Sequence, residues 1–250
     1  MYSIFVACGA QEEDFLIARA WEAGTLGLTD EPGGFRAFFD DAAAMEGILS
    51  GVVRHEPDYD WAQATRESFP PLEIGRRFIL VPPWNEDATP AGRLRLVVNP
   101  GMACGTGWHP CTQMCLEAME QYLRPGDRVL DVGSGSGILS VAARLLGAGA
   151  VAGCDIDADV RPPFVGSADA VQTASADLLV SNISAAAVDE LAGEFHRVVK
   201  PSGTLILSGF TESEVPEELR TLERLQKGEW VCLVATGVKP SDSPIARRSR

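Results

Sequence analysis

The sequence predicts an α/β protein in which a doubly wound, mostly parallel sheet follows a small α+β domain of the ferredoxin-like kind. From about Pro90 onward, short apolar strands alternate with amphipathic helices, the order typical of parallel sheets. A glycine-rich turn joins one of these strands to the next helix, as in sheets that hold a ligand at their carboxyl edge. Before Pro57 the elements follow the order β-α-β-β-α-β, which predicts the small two-layer domain.

The elements of the small domain, residues 1–56, are marked by hydrophobic alternation and by turn residues. YSIFVAC predicts a strand, and EEDFLIARAWEAG predicts an amphipathic helix that ends at Gly24. TLGLTD and FRAFFD flank the turn residues EPGG, which indicates a hairpin. AAAMEGIL predicts a second helix and GVVRHEP a last strand, so we expect the domain to end near Glu56.

Residues 57–89 are predicted to connect the two domains. DYDWAQATRESFP predicts a helix, and RRFILVPPW predicts a strand that Pro82 and Pro83 end. The larger domain is predicted to span residues 90–238, and the polar residues 239–250 are predicted to be a disordered tail. Its expected strands are RLRLVV, RVLDV, AVAGCDI, DLLVSNI, TLILSG and EWVCLVATG, and its expected helices are CTQMCLEAMEQYL, ILSVAARLLG and AAAVDELAGEFHRVV.

Composition and charge argue against several functions. A formal net charge of −14 is unfavourable for non-specific binding to nucleic acid, which needs a basic surface. The same charge is compatible with a basic protein partner or a cationic ligand, and equally with a simple contribution to solubility. The chain shows no apolar run long enough to cross a bilayer and no basic leader, so we expect a cytoplasmic protein without membrane contact. We expect it to be a monomer.

The stretch RVLDVGSGSGILS combines a buried strand, the glycines Gly133, Gly135 and Gly137, and the start of a helix. Glycines allow a sharp turn and a close ligand approach, and a helix N-terminus offers free N–H groups to an anionic group. Asp155 ends the next strand, where a carboxylate can accept hydrogen bonds from both hydroxyls of a ribose. A dinucleotide-binding G-x-G-x-x-G loop is disfavoured because Ile138 takes its third glycine position. We therefore predict a site for an adenosine-containing ligand. The alternative is that these glycines only form a tight turn between the strand and the helix and bind no ligand.

Asn182 ends the following predicted strand, DLLVSNIS. We expect it at the same edge of the sheet as the glycine loop, because doubly wound folds bind their ligands at the carboxyl ends of the strands. An Asn carbonyl there can accept a hydrogen bond from an amine and direct the lone pair of the amine at a methyl group. Alternatively, Asn182 only caps the next helix, and the residues alone leave both interpretations open.

The stretch NPGMACGTGWHPCTQMC raises the question of a metal site, because it contains His109, Cys104, Cys111 and Cys115. Four nitrogen and sulfur ligands of this kind can hold zinc. However, none of the six cysteines falls in a C-x-x-C pair, and buried thiols are the expected state in a cytosolic chain of this size. Cys111 and Cys115 also fall at a helix start, and Cys104 precedes a glycine turn, so no metal is predicted.

Several segments, in this order, resemble the ribosomal protein L11 methyltransferase family (PrmA). The G-x-G-x-G loop is similar to that of S-adenosylmethionine-dependent methyltransferases in general, and its combination with G-T-G-x-H-P-x-T resembles this family in particular. In the family, position 104 is usually aromatic and position 111 usually Thr, so the cysteines are substitutions in a loop that covers the ligand. The resembling segments are DYDWAQA…RRFILVPPW, NPGMACGTGWHPCT, LDVGSGSGILS, CDID, VSNIS, KPSGTLILSG and GEWVCLVATG.

The resemblance implies a Rossmann-like enzyme that uses S-adenosylmethionine to methylate lysine and N-terminal amino groups of a ribosomal protein. It implies that residues 1–56 recognise this protein substrate. Asn182 and His109 are the candidate catalytic residues, and His109 is also a candidate for ordering the covering loop or for purely local bonding. The candidate cofactor-binding residues are Thr106, Thr112, Gly133, Gly135, Gly137, Asp155 and Asn182.

Two segments depart from the family pattern. ADVRPPFVGSADAVQTASA, after CDID, is short, and Pro162-Pro163 prevents a full helix where the family builds the adenine-side wall. TESEVPEELRTLERLQKG is also short for a helix and a strand. Two alternatives to the family activity therefore remain: a related methyltransferase for another protein or a small amine, and a non-catalytic module that binds the cofactor or the ribosomal protein.

Overall fold

The structure is a computed structural model that describes residues 1–9, 13–45, 51–55, 67–99, 107–215 and 221–237. The chain divides into two compact units, Met1–Thr65 and Arg66–Arg250, and the division falls within the segment predicted as a connector. Within the described ranges, no helix is long and apolar enough to span a membrane.

The first unit is a four-stranded antiparallel sheet with one described α-helix. Its sheet order, β2-β3-β1-β4, is that of a ferredoxin-like fold, and β2 and β3 form the predicted hairpin. The core packs Ile4 and Phe35 of the central strands against Ala20 of the helix. The elements are β1 (Tyr2–Ala7), α1 (Glu13–Glu22), β2 (Gly27–Glu31), β3 (Gly34–Phe39), a 3-10 helix (Ala42–Met45) and β4 (Val52–His55).

Two predicted helices of the N-terminal region are only partly within the described residues. The described start of the AAAMEGIL segment is a 3-10 helix, Ala42–Met45, rather than the expected α-helix. The remainder of that segment, and most of the helix predicted after Glu56, lie outside the described ranges, as does the predicted tail after residue 237.

A small three-stranded sheet begins the second unit. It consists of β5 (Leu72–Ile74), β6 (Phe78–Val81) and β7 (Leu94–Val97), with β5 antiparallel and β7 parallel to β6. All four residues of β6 are buried, which explains why the apolar RRFILVPPW segment forms a strand. β5 and β6 lie in the range predicted as a connector, but they belong to the second unit.

The main sheet of the second unit has seven strands in the order β10-β9-β8-β11-β12-β14-β13. The first five are parallel, and β14 runs antiparallel to its neighbours β12 and β13. This confirms the predicted doubly wound, mostly parallel sheet. The strands are β8 (Arg128–Val132), β9 (Ala150–Asp155), β10 (Phe164–Val165), β11 (Ala176–Asn182), β12 (Val199–Thr211), β13 (Thr221–Lys227) and β14 (Trp230–Thr236).

Helices cover both faces of this sheet. The second unit contains α2 (Pro110–Tyr122), α3 (Ile138–Leu145) and α4 (Ala185–Val198). Successive residues of β11 alternate between two apolar clusters: Leu178 packs with α2 and α3, whereas Leu179 packs with α4. Burial on both faces explains why these strands are apolar throughout.

The connection from β9 to β10 contains no α-helix. It consists of a 3-10 helix, Ala158–Val160, followed by Pro162-Pro163, and the chain then returns directly to β10. Because proline lacks an N–H and clashes with the preceding turn, the predicted loss of a full helix is confirmed. β10 still pairs in parallel with the last two residues of β9, so the sheet retains a strand at this edge.

The C-terminal strands extend beyond the predicted segments. The TLILSG segment is the centre of the longer β12, which pairs with β14 as far as Thr211. The segment predicted to be short for a helix and a strand contains a 3-10 helix, Glu212–Glu214, and β13, with residues 216–220 outside the described ranges. Pairing with β14 explains β13, whose own residues are mostly polar.

Candidate functional site

A cavity of about 710 Å³ opens at the carboxyl ends of the parallel strands. It lies where the strand order reverses, with β9 on one side of β8 and β11 on the other, the usual ligand position in such sheets. Five of the predicted site residues line it, namely Thr112, Gly133, Gly135, Asp155 and Asn182. The tertiary structure therefore brings most of the predicted site together.

The glycine loop is held in a conformation that requires glycine. Gly133 has a φ of 72°, and a Cβ at this position would lie 2.3 Å from Cγ2 of Ile183. The backbone N–H groups of Gly133 and Ser134 donate to the carbonyl oxygen of Cys154 at 2.9 and 3.0 Å. These bonds fix the loop against β9 and leave its cavity side open to a ligand.

Asp155 links the tip of β9 to the glycine loop. Its Oδ2 accepts a hydrogen bond from the backbone N–H of Gly135 at 2.9 Å, and its Oδ1 accepts one from the N–H of Asp157 at 3.0 Å. Each carboxylate oxygen has room for a second donor. The half-buried carboxylate can therefore still accept hydrogen bonds from a ligand in the cavity.

Asn182 and Thr112 contact each other in the wall of the cavity. Asn182 is the last residue of β11, and its Nδ2 donates to Oγ1 of Thr112 at 3.1 Å. Thr112 lies in the first turn of α2 and is fully buried. Two residues that the sequence identified separately thus form one polar pair in the cavity wall.

Three other predicted residues are not placed in the cavity wall. Gly137 is the N-cap of α3, with a φ of 75°. His109 is the exposed N-cap of α2: its Nδ1 accepts a hydrogen bond from the N–H of Cys111 at 3.3 Å, and its ring packs edge-on against Trp230, 4.5 Å between centroids. Thr106 lies outside the described residues.

A buried carboxylate lies in β8, just before the glycine loop. Asp131 is fully buried, and its Oδ2 accepts a hydrogen bond from the Ser140 hydroxyl at 2.7 Å. Its Oδ1 has no hydrogen-bond partner among the described residues. Burial raises the pKa of Asp131 to about 6, because an ionised carboxylate is poorly solvated there.

Three buried cysteines lie between α2 and the sheet. Cys111 is within hydrogen-bonding reach of Ser208, and Cys115 of Cys232. Burial raises the pKa of Cys111, and the contact with Cys232, together with burial, raises that of Cys115. The described part of the chain holds no group of three or more His, Cys, Asp or Glu side chains that could bind a metal. Cys104 is not among the described residues.

Several residues of the cavity wall are not among the predicted site residues. Gly209 lines the cavity from β12, Ile183 from the turn after β11, and Ala187 and Leu191 from α4. The rule that indicated Asn182 applies equally to Gly209, which ends the apolar TLILSG segment predicted as a parallel strand. Ala187 and Leu191 carry no such signal, because small and apolar residues at helical spacing resemble ordinary core positions.

The doubly wound sheet, its glycine loop and the acidic residue at the next strand tip define an S-adenosylmethionine-dependent methyltransferase. Similarity to known proteins narrows this class. A family model described as "Ribosomal protein L11 methyltransferase (PrmA)" matches residues 39–237. The chain belongs to this family.

Individual relatives agree with this assignment. The chain is 35% identical to a ribosomal protein L11 methyltransferase of Deinococcus radiodurans, over 82% of each chain. It is 37% identical to one of Geobacter sulfurreducens, over 92% of this chain and 85% of the relative. Among solved structures, a ribosomal protein L11 methylase of Lactobacillus delbrueckii subsp. bulgaricus superposes with a TM-score of 0.58 at 26% identity, covering 67% of this chain and 98% of that chain.

The cavity fits S-adenosylmethionine, the cofactor of this class. A side chain at position 133 would overlap Ile183. Glycine therefore avoids this overlap and leaves room for a ligand beside the loop. Asp155 supplies acceptors suited to ribose hydroxyls, and Leu191 supplies an apolar surface suited to a base. Val160 and Ser167 also line the cavity, so the short connection after β9 contributes to its wall without an α-helix.

Proposed function

We propose that this chain transfers methyl groups from S-adenosylmethionine to amino groups of ribosomal protein L11, on lysine side chains and at the N-terminus. The observation that carries the proposal is the convergence of the glycine loop, Asp155 and Asn182 on one cavity. The names of its relatives, ribosomal protein L11 methyltransferases, support the choice of substrate.

The glycine loop and Asp155 hold the adenosyl part of the cofactor. The backbone turn at Gly133 and Gly135 gives close access to the ligand, and Asp155 accepts hydrogen bonds from the ribose hydroxyls. Gly137 contributes by starting α3 directly after the loop. When bound, S-adenosylmethionine supplies a methyl group activated by its sulfonium. Thr106 stays a prediction for the same site.

Asn182 orients the substrate amine. A lysine ammonium, with a pKa of about 10.4 in water, must first lose a proton, and desolvation in the cavity favours its neutral form. The Asn182 carbonyl then accepts an N–H hydrogen bond, which aligns the lone pair of the amine with the methyl carbon. Bound S-adenosylmethionine would supply the methyl group on a sulfonium sulfur, which can keep the electron pair of the C–S bond when the amine held by Asn182 takes the methyl group.

His109 contributes by ordering the start of α2. Its capping bond to Cys111 and its contact with Trp230 hold the turn from which Thr112 reaches the cavity. A direct catalytic role for His109 stays a prediction of the sequence.

The first unit recognises the protein substrate. Two aromatic side chains of α1 are exposed, Phe15 by 66% and Trp21 by 55%, and exposed aromatic residues are typical of contact surfaces. The formal net charge of −14, which belongs to the whole chain, is compatible with a basic protein partner.

The test is methyl transfer to purified ribosomal protein L11, with the products mapped by mass spectrometry. We expect methylated lysine and N-terminal amines with the wild-type chain and at least a tenfold lower turnover number with Asn182→Ala. Asp189→Ala, on the exposed side of α4, is the matched control and is expected to match the wild type. Cofactor binding without transfer would identify a non-catalytic module, and transfer only to other proteins or small amines would identify a related methyltransferase.

A further inference from the structure

We infer that Thr112 is a positioning residue: it holds the side-chain amide of Asn182 so that the carbonyl oxygen, rather than the NH₂ group, faces the incoming amine. The inference rests on the proposed function, because it assumes that Asn182 receives the amine.

The contact is direct and sits in the cavity wall. Nδ2 of Asn182 donates to Oγ1 of Thr112 at 3.1 Å, and both residues line the cavity. The Thr112 side chain is fully buried, whereas Asn182 is half-buried and accessible to a ligand. One side of the amide therefore meets an internal partner, and the other is left for the cavity.

The backbone at Asn182 is already fixed, so the side-chain torsion is the remaining freedom. The N–H of Ile183 donates to the carbonyl of Ser208 at 3.0 Å, and the hydroxyl of Ser181 donates to the carbonyl of Val132 at 2.8 Å. The terminal torsion of an Asn side chain is broad and nearly two-fold. Without a partner, the amide would present its oxygen or its nitrogen to the cavity with similar ease.

Thr112 is itself firmly held. Its neighbour Cys111 is buried, and the backbone N–H of Cys111 donates to Nδ1 of His109 at 3.3 Å. On its other side, Nε2 of Gln113 donates to the carbonyl of Trp108 at 2.7 Å. The first turn of α2 is thus anchored on both sides of Thr112, which makes the hydroxyl a fixed reference for the amide.

The chemistry selects the direction of the bond. A hydroxyl both donates and accepts, so the pair alone allows either orientation of the amide. An NH₂ group facing the amine would donate to its lone pair and oppose attack on the methyl group. A carbonyl oxygen facing the amine accepts an N–H and leaves the lone pair free. The accepting role of the Thr112 hydroxyl is therefore the one that supports transfer.

The first test compares Thr112→Val with Thr112→Ser. Val has nearly the same shape but cannot bond the amide, whereas Ser retains the hydroxyl. We expect Thr112→Val to lower the turnover number on ribosomal protein L11 at least tenfold and Thr112→Ser to stay within threefold of the wild type. The dissociation constant for S-adenosylmethionine, measured by calorimetry in both variants, should change by a smaller factor than the turnover number does in Thr112→Val. An unchanged turnover number in Thr112→Val, or a loss confined to cofactor affinity, overturns the inference but leaves the proposed function standing.

The second test needs no activity. The side-chain NH₂ protons of Asn182, identified in the NMR spectrum by their loss in Asn182→Ala, should exchange with solvent more slowly in the wild type and Thr112→Ser than in Thr112→Val. Equal exchange in all three would mean that the NH₂ group faces the cavity, which contradicts the inference. A wild-type chain that transfers no methyl group to ribosomal protein L11 overturns the proposed function, and this inference with it.

Discussion

The carboxylate of Asp155 accepts a hydrogen bond from the backbone N–H of Gly135 at 2.9 Å. This bond joins two consecutive strand tips, because Gly135 follows β8 and Asp155 ends β9. The residue proposed to bind the ribose therefore also shapes the loop proposed to lie beside the cofactor. A substitution at Asp155 therefore affects both the binding of the ribose and the conformation of the glycine loop.

Substitution of Asp155 separates these two effects. Asp155→Ala removes every acceptor, and we expect the dissociation constant for S-adenosylmethionine to rise at least tenfold, or about 1.4 kcal/mol. Asp155→Asn should lose less affinity for S-adenosylmethionine, since its amide oxygen can still accept a hydrogen bond from the backbone N–H of Gly135. Calorimetric titration measures both, with Asp189→Ala as the control. Equal affinity in Asp155→Ala and the wild type would exclude Asp155 from the cofactor site.

Gly209 should be far less replaceable than Gly228, although both have positive φ, 103° and 61°. A Cβ at Gly209 would lie 2.2 Å from the carbonyl oxygen of Ile183, whereas at Gly228 it would meet nothing within 4 Å. Alanine at either position carries a strain of roughly 1–2 kcal/mol, and only Gly209→Ala adds a backbone overlap. We expect Gly209→Ala to lower the free energy of unfolding by about 3 kcal/mol or more in urea titrations. Similar losses in the two variants would contradict this packing.

Asp131 should make stability depend on pH in an unusual direction. Burial raises its pKa from 3.8 to about 6, so between these values the folded chain retains a proton that the unfolded chain has lost. The stabilising contribution of this group is complete below about pH 4 and declines as the pH rises through about 6. Asp131→Asn cannot ionise, so its free energy of unfolding relative to the wild type should rise by roughly 2–3 kcal/mol from pH 4 to pH 7, because each unit of pKa difference between the folded and unfolded states is worth about 1.36 kcal/mol.

Urea unfolding of both proteins at several pH values measures this difference. Titrating groups that do not interact with Asp131 contribute equally to the two curves and cancel. Parallel curves for the wild type and Asp131→Asn would show that Asp131 is not buried in the way the structure describes.

The exposed aromatic residues of α1 test the role of the first unit. We expect Phe15→Ala and Trp21→Ala to raise the KM for ribosomal protein L11 severalfold, because each removes apolar contact area from the proposed recognition surface. The affinity for S-adenosylmethionine should stay unchanged. Leu222→Ala, 54% exposed in the second unit, is the control. An unchanged KM in both aromatic variants would argue against substrate recognition by this surface.

Alkylation can test the state of the buried cysteines. Cys111, Cys115, Cys154 and Cys232 are buried, and burial raises the pKa of Cys154 to about 12. We expect the partly exposed Cys8 to react with iodoacetamide at least tenfold faster than these four, because the thiolate is the reactive form. Mass spectrometry of peptides gives the rate at each site. Rapid labelling of Cys111 or Cys115 would show that the contact between α2 and the sheet opens readily.

Local patterns were sufficient to predict the elements around the cofactor cavity. RVLDV forms β8 at the predicted boundaries, and Asp155 and Asn182 end β9 and β11 as expected. Apolar periodicity, turn glycines and the shared carboxyl edge of parallel strands are properties of short segments or of the sheet type. The mostly polar segment that forms β13, in the range predicted to be short for a helix and a strand, has no strand pattern of its own, because pairing with β14 rather than composition makes it a strand.

By itself, the sequence determined the doubly wound fold, the glycine loop, and the acidic and amide residues at the ends of β9 and β11, the strands on either side of β8. Only the tertiary structure decided that Thr112 bonds Asn182, 70 residues away, that His109 caps α2 outside the cavity wall, and that Gly209 lines the cavity. The physical reason is the separation along the chain over which each effect acts. Periodicity and turn chemistry act over a few residues, whereas these contacts arise when α2 packs on the sheet and brings distant side chains within hydrogen-bonding distance.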